Sequence, residues 1–159
     1  VGREQRSLLI SAARSALFNA VCASRVVDGT WERGLEGDVF QLDGKGSIFG
    51  PVPVDDELAA RLARGEVHAT GPMWGAGDPP TAGDVAEREK SRAGTFGEIA
   101  GGLAGAGLRQ ERRSLRVMPR SLTFRWDADD HLALEFGLPP GSYATVVLRE
   151  LARTQEPVR

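Results

Sequence analysis

Tyr143 is the side chain most pointedly placed for chemistry. It follows Leu138-Pro139-Pro140-Gly141-Ser142, a rigid turn, and stands at the start of an amphipathic stretch. Backbone geometry sets a ring held in this way, and exposed, pre-set aromatics serve as stacking platforms for unpaired bases. The residues alone favour the plainer alternative, a ring packed against the preceding strand. Next is RQERRSLRVMPRSLTFR, Arg109 to Arg125, where Arg109, Arg112, Arg113, Arg116, Arg120 and Arg125 face a single acid, Glu111. On a strand, alternate arginines can line one face and meet a phosphate backbone. They can equally form a solvated face paired with Asp127, Asp129 and Asp130.

The remaining candidates are weaker. Gly44-Lys45-Gly46-Ser47 has the composition of a phosphate loop. It lacks both the four-residue spacing between glycines and the helix that must follow. It reads as a hairpin turn, with Lys45 at an exposed tip where it could touch an RNA phosphate. Cys22 has no local partner signature and lies on the apolar side of a helix, so it reads as a structural thiol. His68 and His131 fall on strands without metal-ligand spacing, and one cysteine cannot build a multi-cysteine zinc site. No catalytic residue and no metal ligand is assigned from these residues.

The elements that must position these groups follow from periodicity. Residues from Ser7 to about Ala23 repeat apolar positions at helical spacing, with Ser7 as N-cap. Val39–Leu42 and Ser47–Phe49 flank the Asp43–Gly46 turn as a hairpin. Asp55 caps a short helix that turns Leu58, Ala59 and Leu62 inward. Val67–Thr70 is strand-like, and Gly71–Asp84 reads as a long loop. Helices are expected over about 84–91 and 95–104, the second ended by Gly105 and Gly107. Arg112–Arg116, Ser121–Trp126 and His131–Leu138 are strands, the last two joined by the Asp127–Asp130 turn. Ser142 then caps a terminal helix with Ala144, Val147, Leu148 and Leu151 on one side. The class is mixed α+β.

Composition sets the outer bounds. The chain has 159 residues, 41% hydrophobic and 26% charged, enough for a sizeable core. Its net charge of -2 gives no global basic field, so a nucleic-acid partner must be held by a local patch. No apolar run approaches the ~18–20 residues needed to span a bilayer. A cytoplasmic protein without a membrane partner is the expectation. The chain starts with Val1 and enters helix-like sequence almost at once, which reads as part of a longer protein.

Five blocks, in order, carry a family resemblance: SAARSALFN (Ser11 to Asn19), GDVFQLDGKGS (Gly37 to Ser47), GPMWGAG (Gly71 to Gly77), GLRQERRSL (Gly107 to Leu115) and LPPGSYATVVLREL (Leu138 to Leu151). Together they cover nearly the whole chain, which resembles the TruD family of tRNA pseudouridine synthases. The resemblance implies a family-specific α/β insertion (TRUD) domain, with its flanking helix, over residues 3–117. It implies that residues 118–159 are the last segment of a pseudouridine-synthase catalytic domain, a partial sheet.

The implied activity is isomerisation of uridine to pseudouridine in tRNA, typically at position 13, without metal or organic cofactor. In the family an Asp attacks the target nucleotide, and the base detaches, turns and rejoins through C5. The base must leave its stack for this. The aromatic of the GS-aromatic-AT motif contacts the target base; that position is Tyr143, where relatives often carry Phe. The family's nucleophile motif, GxKDxxA-like, and its NYFGxQRFG motif are not in this chain. The nucleophilic role is therefore carried onto none of its aspartates, and the chain alone is expected to be inactive. Expected partners are tRNA, reached through Tyr143 and possible backbone contacts at Arg112, Arg113, Arg116 and Lys45, and the missing N-terminal part. A stand-alone RNA-binding module without activity is the alternative.

Overall fold

The computed structural model describes residues 2–128 and 130–153 of the chain, with Ala128 described in its backbone only. Asp129, expected in a turn, lies outside the described residues. The chain divides between Arg116 and Val117 into two compact units.

The first unit opens with α1 (Arg3–Val27) and continues through β1 (Phe40–Leu42), β2 (Ile48–Phe49), α2 (Asp56–Ala63), β3 (Val67–Met73), α3 (Gly83–Gly94), α4 (Gly97–Gly105) and β4 (Glu111–Ser114). Its sheet has the order β2-β1-β3-β4, and every pairing between neighbours is antiparallel. Strand alternation sorts β3 into two faces. Val67, Ala69 and Gly71 face an apolar layer in which Phe18, Phe40, Leu58, Leu62 and Leu115 pack with Val67 and Ala69. Leu17 of α1, Ala93 of α3 and Leu103 of α4 form a second cluster, edged by Trp74, Phe96 and Leu108. Burial of each large apolar side chain contributes roughly 1.5–3 kcal/mol.

Several boundaries differ from expectation. α1 begins four residues before Ser7, with Gly2 at its N-cap and no capping side chain. It is also long and apolar enough to cross a membrane by length and composition, which corrects the sequence reading. Its middle buries Leu17, Phe18 and Val21 within the unit. In α2, Asp55 caps as expected by accepting from the Leu58 N–H at 2.8 Å, but Ala59 stays exposed. β3 runs on through Gly71 and Pro72 to Met73 instead of ending at Thr70. Pro72 fits because β1 pairs only as far as Ala69, which leaves β4 alone beside it.

The GPMWGAG and GLRQERR blocks meet at this end of β3. The Ala76 N–H donates to the Leu108 carbonyl at 2.6 Å, and the Gln110 N–H donates back to Ala76 at 3.2 Å. A Cβ at Gly75 would sit 2.4 Å from the Arg109 carbonyl, so only glycine permits this approach.

The second unit holds β5 (Arg120–Ala128), β6 (His131–Gly137) and α5 (Ala144–Leu151). β5 and β6 form an antiparallel two-stranded sheet, with Phe124 opposite Leu134 and Trp126 opposite Leu132. Leu122, Phe124 and Trp126 alternate onto one face with Leu132, Leu134 and Phe136. That face is open: Phe124 is 71% and Trp126 63% exposed. The expected apolar positions of α5 include Val147 and Leu148, which are half-buried, and no residue of this helix is fully buried. The two units together give the α+β class.

Candidate nucleic-acid interface

In the second unit the turn before α5 sets the position of Tyr143. The Ser142 N–H donates to the Pro139 carbonyl at 3.2 Å, closing the turn, and Gly141 has φ +83, a conformation that favours glycine. The N-cap is Tyr143 rather than Ser142, and no side chain caps the helix. The Tyr143 backbone stays extended at φ -113 and ψ 124 while its carbonyl accepts from Val146 at 3.1 Å. Its ring is 71% exposed, not packed on the preceding strand as the residues alone favour. The geometry presents a flat aromatic face to solvent, which suits stacking by a nucleobase.

The arginine-rich segment divides by strand alternation. Arg112, Ser114 and Arg116 face the polar side of β3, which carries His68 and Thr70. Arg112 donates through both terminal nitrogens to Glu89 of α3 at 2.8 Å, and through Nε to the Thr70 hydroxyl at 3.0 Å. Both members of the ion pair are 1% exposed in their side chains. The Thr81 hydroxyl also donates to Glu89, at 3.0 Å. This placement corrects the expectation for Arg112, since its guanidinium has no open face toward a phosphate.

Arg116 is drawn into the same layer. Its Nε–H donates to His68 Nδ1 at 3.0 Å, and its terminal nitrogen donates to the carbonyls of Leu62 and Val67. His68 Nδ1 is therefore the acceptor nitrogen, and Nε2–H donates to Asp43 at 2.9 Å. Both ring nitrogens of His68 are thus hydrogen-bonded within the protein. Burial pulls the Arg116 guanidinium below its ordinary pKa, opposed by Glu32 and Asp43. Its Nε and one terminal nitrogen are thus engaged within the protein, and the residue as a whole is half-buried. Between these two arginines Ser114 donates twice to Gln41, at 3.1 and 2.8 Å.

Arg113 faces the opposite side of β4 and lies 5.5 Å over the centre of the Phe18 ring, a cation–π contact. Lys45 is exposed at the β1–β2 tip, where its carbonyl accepts from the Gln41 amide at 2.8 Å. Arg125 is exposed and paired with Asp127 at 2.6 Å, in keeping with the solvated-face alternative. Cys22 is half-buried and its thiol donates to the Leu115 carbonyl at 3.6 Å; burial raises its pKa, partly offset by Arg25. Among the described residues no three His, Cys, Asp or Glu side chains converge as a metal-ligand set.

Sequence reasoning also missed a buried pair in the first unit. Arg25 donates to both carboxylate oxygens of Asp38 at 2.9 Å and to the carbonyls of Thr30 and Arg33. It ties the end of α1 to the residues entering β1. The signal was an Arg at the end of a helix followed by an acid thirteen residues on, too common a pattern to stand out.

Comparison with known proteins adds independent findings. Residues 1–151 match the family model described as tRNA pseudouridine synthase D (TruD). The chain is similar to the tRNA pseudouridine synthase D of Xanthomonas euvesicatoria pv. vesicatoria (strain 85-10), at 49% identity over 150 residues, 93% of this chain and 41% of that protein. It is similar to the same-named protein of Nitrosococcus oceani, at 43% identity over 158 residues, 99% of this chain and 44% of the relative. This chain thus spans about two fifths of the length of these relatives. In fold it resembles the crystal structure of a putative tRNA pseudouridine synthase D from Methanosarcina mazei, with a TM-score of 0.60 at 24% identity, covering 86% of this chain and 36% of that one.

Proposed function

Because this chain belongs to the tRNA pseudouridine synthase D (TruD) family, we propose that it is the family's insertion domain and final catalytic segment, and that it takes part in converting uridine to pseudouridine in tRNA. In this reading residues 3–117 are the TRUD-type insertion with its flanking helix. Residues 118–159 return to the catalytic domain. The nucleophilic Asp belongs to the part of the family's polypeptide that this chain does not span, so the chain alone is inactive. The substrate is tRNA, with position 13 as the target, and the protein works in the cytoplasm.

The observation that carries this reading is the exposed ring of Tyr143 on its Pro-Pro-Gly turn, at the position where the family's motif places a base-contacting aromatic. A flat face stacks against a base that has left its helix. Lys45, exposed at a hairpin tip, supplies a phosphate contact. Arg112 and Arg116 act inside the fold, holding the sheet that carries the rest, and Arg113 braces α1 through Phe18. The test is nucleoside analysis of unmodified tRNA incubated with this chain alone and with the chain joined to the remaining part of a relative. Pseudouridine from the joined protein only supports the reading. A folded joined protein that leaves every uridine unchanged rejects it.

A further inference from the structure

The two edges of the β5–β6 sheet are not alike. From Arg120↔Gly137 to Thr123↔Glu135, β5 advances three residues while β6 advances two. From Trp126↔Leu132 to Ala128↔His131, β5 advances two while β6 advances one. Both extra residues therefore lie on β5. Bulges of this kind bend and twist a strand, and they recur on edges that must not accept another strand. β5 adds a second obstacle at the first bulge, where Ser121 holds φ +52. It also carries Arg120, Arg125 and Asp127, charges that discourage edge pairing. β6, by contrast, reads HLALEFG with no proline, no bulged residue and regular alternation.

Among the described residues the sheet also lacks what a stable sheet needs. A two-stranded hairpin is marginal in water without further strands or a covering layer. Here its apolar face leaves Phe124 and Trp126 mostly exposed. About three fifths of the relatives' length lies outside the part that this chain spans, which provides the missing material.

We infer that the free edge of β6, and not that of β5, takes up a further strand from the part of the family's polypeptide that this chain does not span. The inference rests on the reading under Proposed function. The incoming strand pairs along Leu132–Phe136 and sets alternate apolar side chains on the face of Leu132, Leu134 and Phe136. β5 remains the outer edge of the completed sheet.

The test is residue-by-residue amide hydrogen exchange on β5 and β6, in this chain alone and in the chain joined to the remaining part of a relative. Every second β6 amide, the set pointing away from β5, is expected to slow by at least about 100-fold on joining. The outward amides of β5 are expected to stay fast. Protection on the β5 edge, or on neither edge, overturns the inference. Protection of β6 in the chain alone that grows with concentration would mean a second copy at this edge, and overturns the choice of occupant. If the joined protein does not fold, the same measurement on the intact Xanthomonas relative, at the aligned positions, decides between the edges. Pseudouridine assays on the same samples keep the two readings apart. Product with protection on β5 defeats only the edge assignment, while protection on β6 without product defeats only the functional reading.

Discussion

Arg112 and Glu89 face each other as a two-armed ion pair, 2.8 Å at each contact, with both side chains 1% exposed. Thr70 and Thr81 complete the hydrogen bonding around them. The pair fastens α3 to the edge strand β4. Removing one member strands the other charge out of water, whereas removing both removes the problem with them. Arg112→Ala is therefore expected to destabilise the protein by about 3–5 kcal/mol. The double variant Arg112→Met with Glu89→Leu is expected to lie near the parent or above it. Urea unfolding of the three proteins checks this. A single variant as stable as the parent would mean that the pair is open to water.

Lys45 is expected to act where Arg112 does not. In tRNA binding by the joined protein, Lys45→Ala should lower the slope of log K against log salt by roughly 0.7–0.9, the share of one phosphate contact. The Arg112→Met, Glu89→Leu double variant should leave the slope unchanged. Titrations at several salt concentrations read both, and the reverse pattern would return Arg112 to the RNA surface.

How far these assignments were legible in the sequence depends on the element. The hairpin at Lys45 was legible because its turn glycines and its alternation agree. β4 was legible as a strand, but alternation says only that Arg112 and Arg116 share a face, not that the face is inward. The missing clue lay in α3. Glu89 falls at helical spacing with Val85, Ala86 and Ala93, so an acid stands in that helix's buried stripe and needs a buried cation. β3 was cut short for a related reason. Gly71 and Pro72 look like a loop, yet Pro72 fits a strand once β1 has ended. The Tyr143 ring was not placed by its own residues, because a short helix with no fully buried side chain offers the ring no shelter.

Cys22 provides a pH test of the core. Its thiol pKa is raised, chiefly by burial, so the folded protein holds that proton more tightly than the unfolded chain does. The associated stability is fully present below the ordinary thiol value and is lost as pH rises through the raised one. At mildly alkaline pH, alkylation of Cys22 should be slower in the native protein than in the unfolded chain. Mass spectrometry of timed iodoacetamide reactions measures this, and equal rates would refute burial of the thiol.

Tyr143 should tolerate loss of its hydroxyl but not of its ring. In the joined protein Tyr143→Phe is expected to stay within about twofold of the parent rate, while Tyr143→Ala loses the ~1–3 kcal/mol of a base–aromatic stack, about 5- to 150-fold. Single-turnover rates distinguish the two. An Ala variant as fast as the parent would remove Tyr143 from the base site.

The most direct measurement uses tRNA carrying tritium at C5 of its uridines. Forming pseudouridine joins the ribose to C5, so each conversion releases one tritium to water. This chain alone is predicted to release none, and the chain joined to the remaining part of a relative is predicted to release one equivalent per tRNA. Release by this chain alone would contradict the account, as would a folded joined protein that binds tRNA and releases nothing.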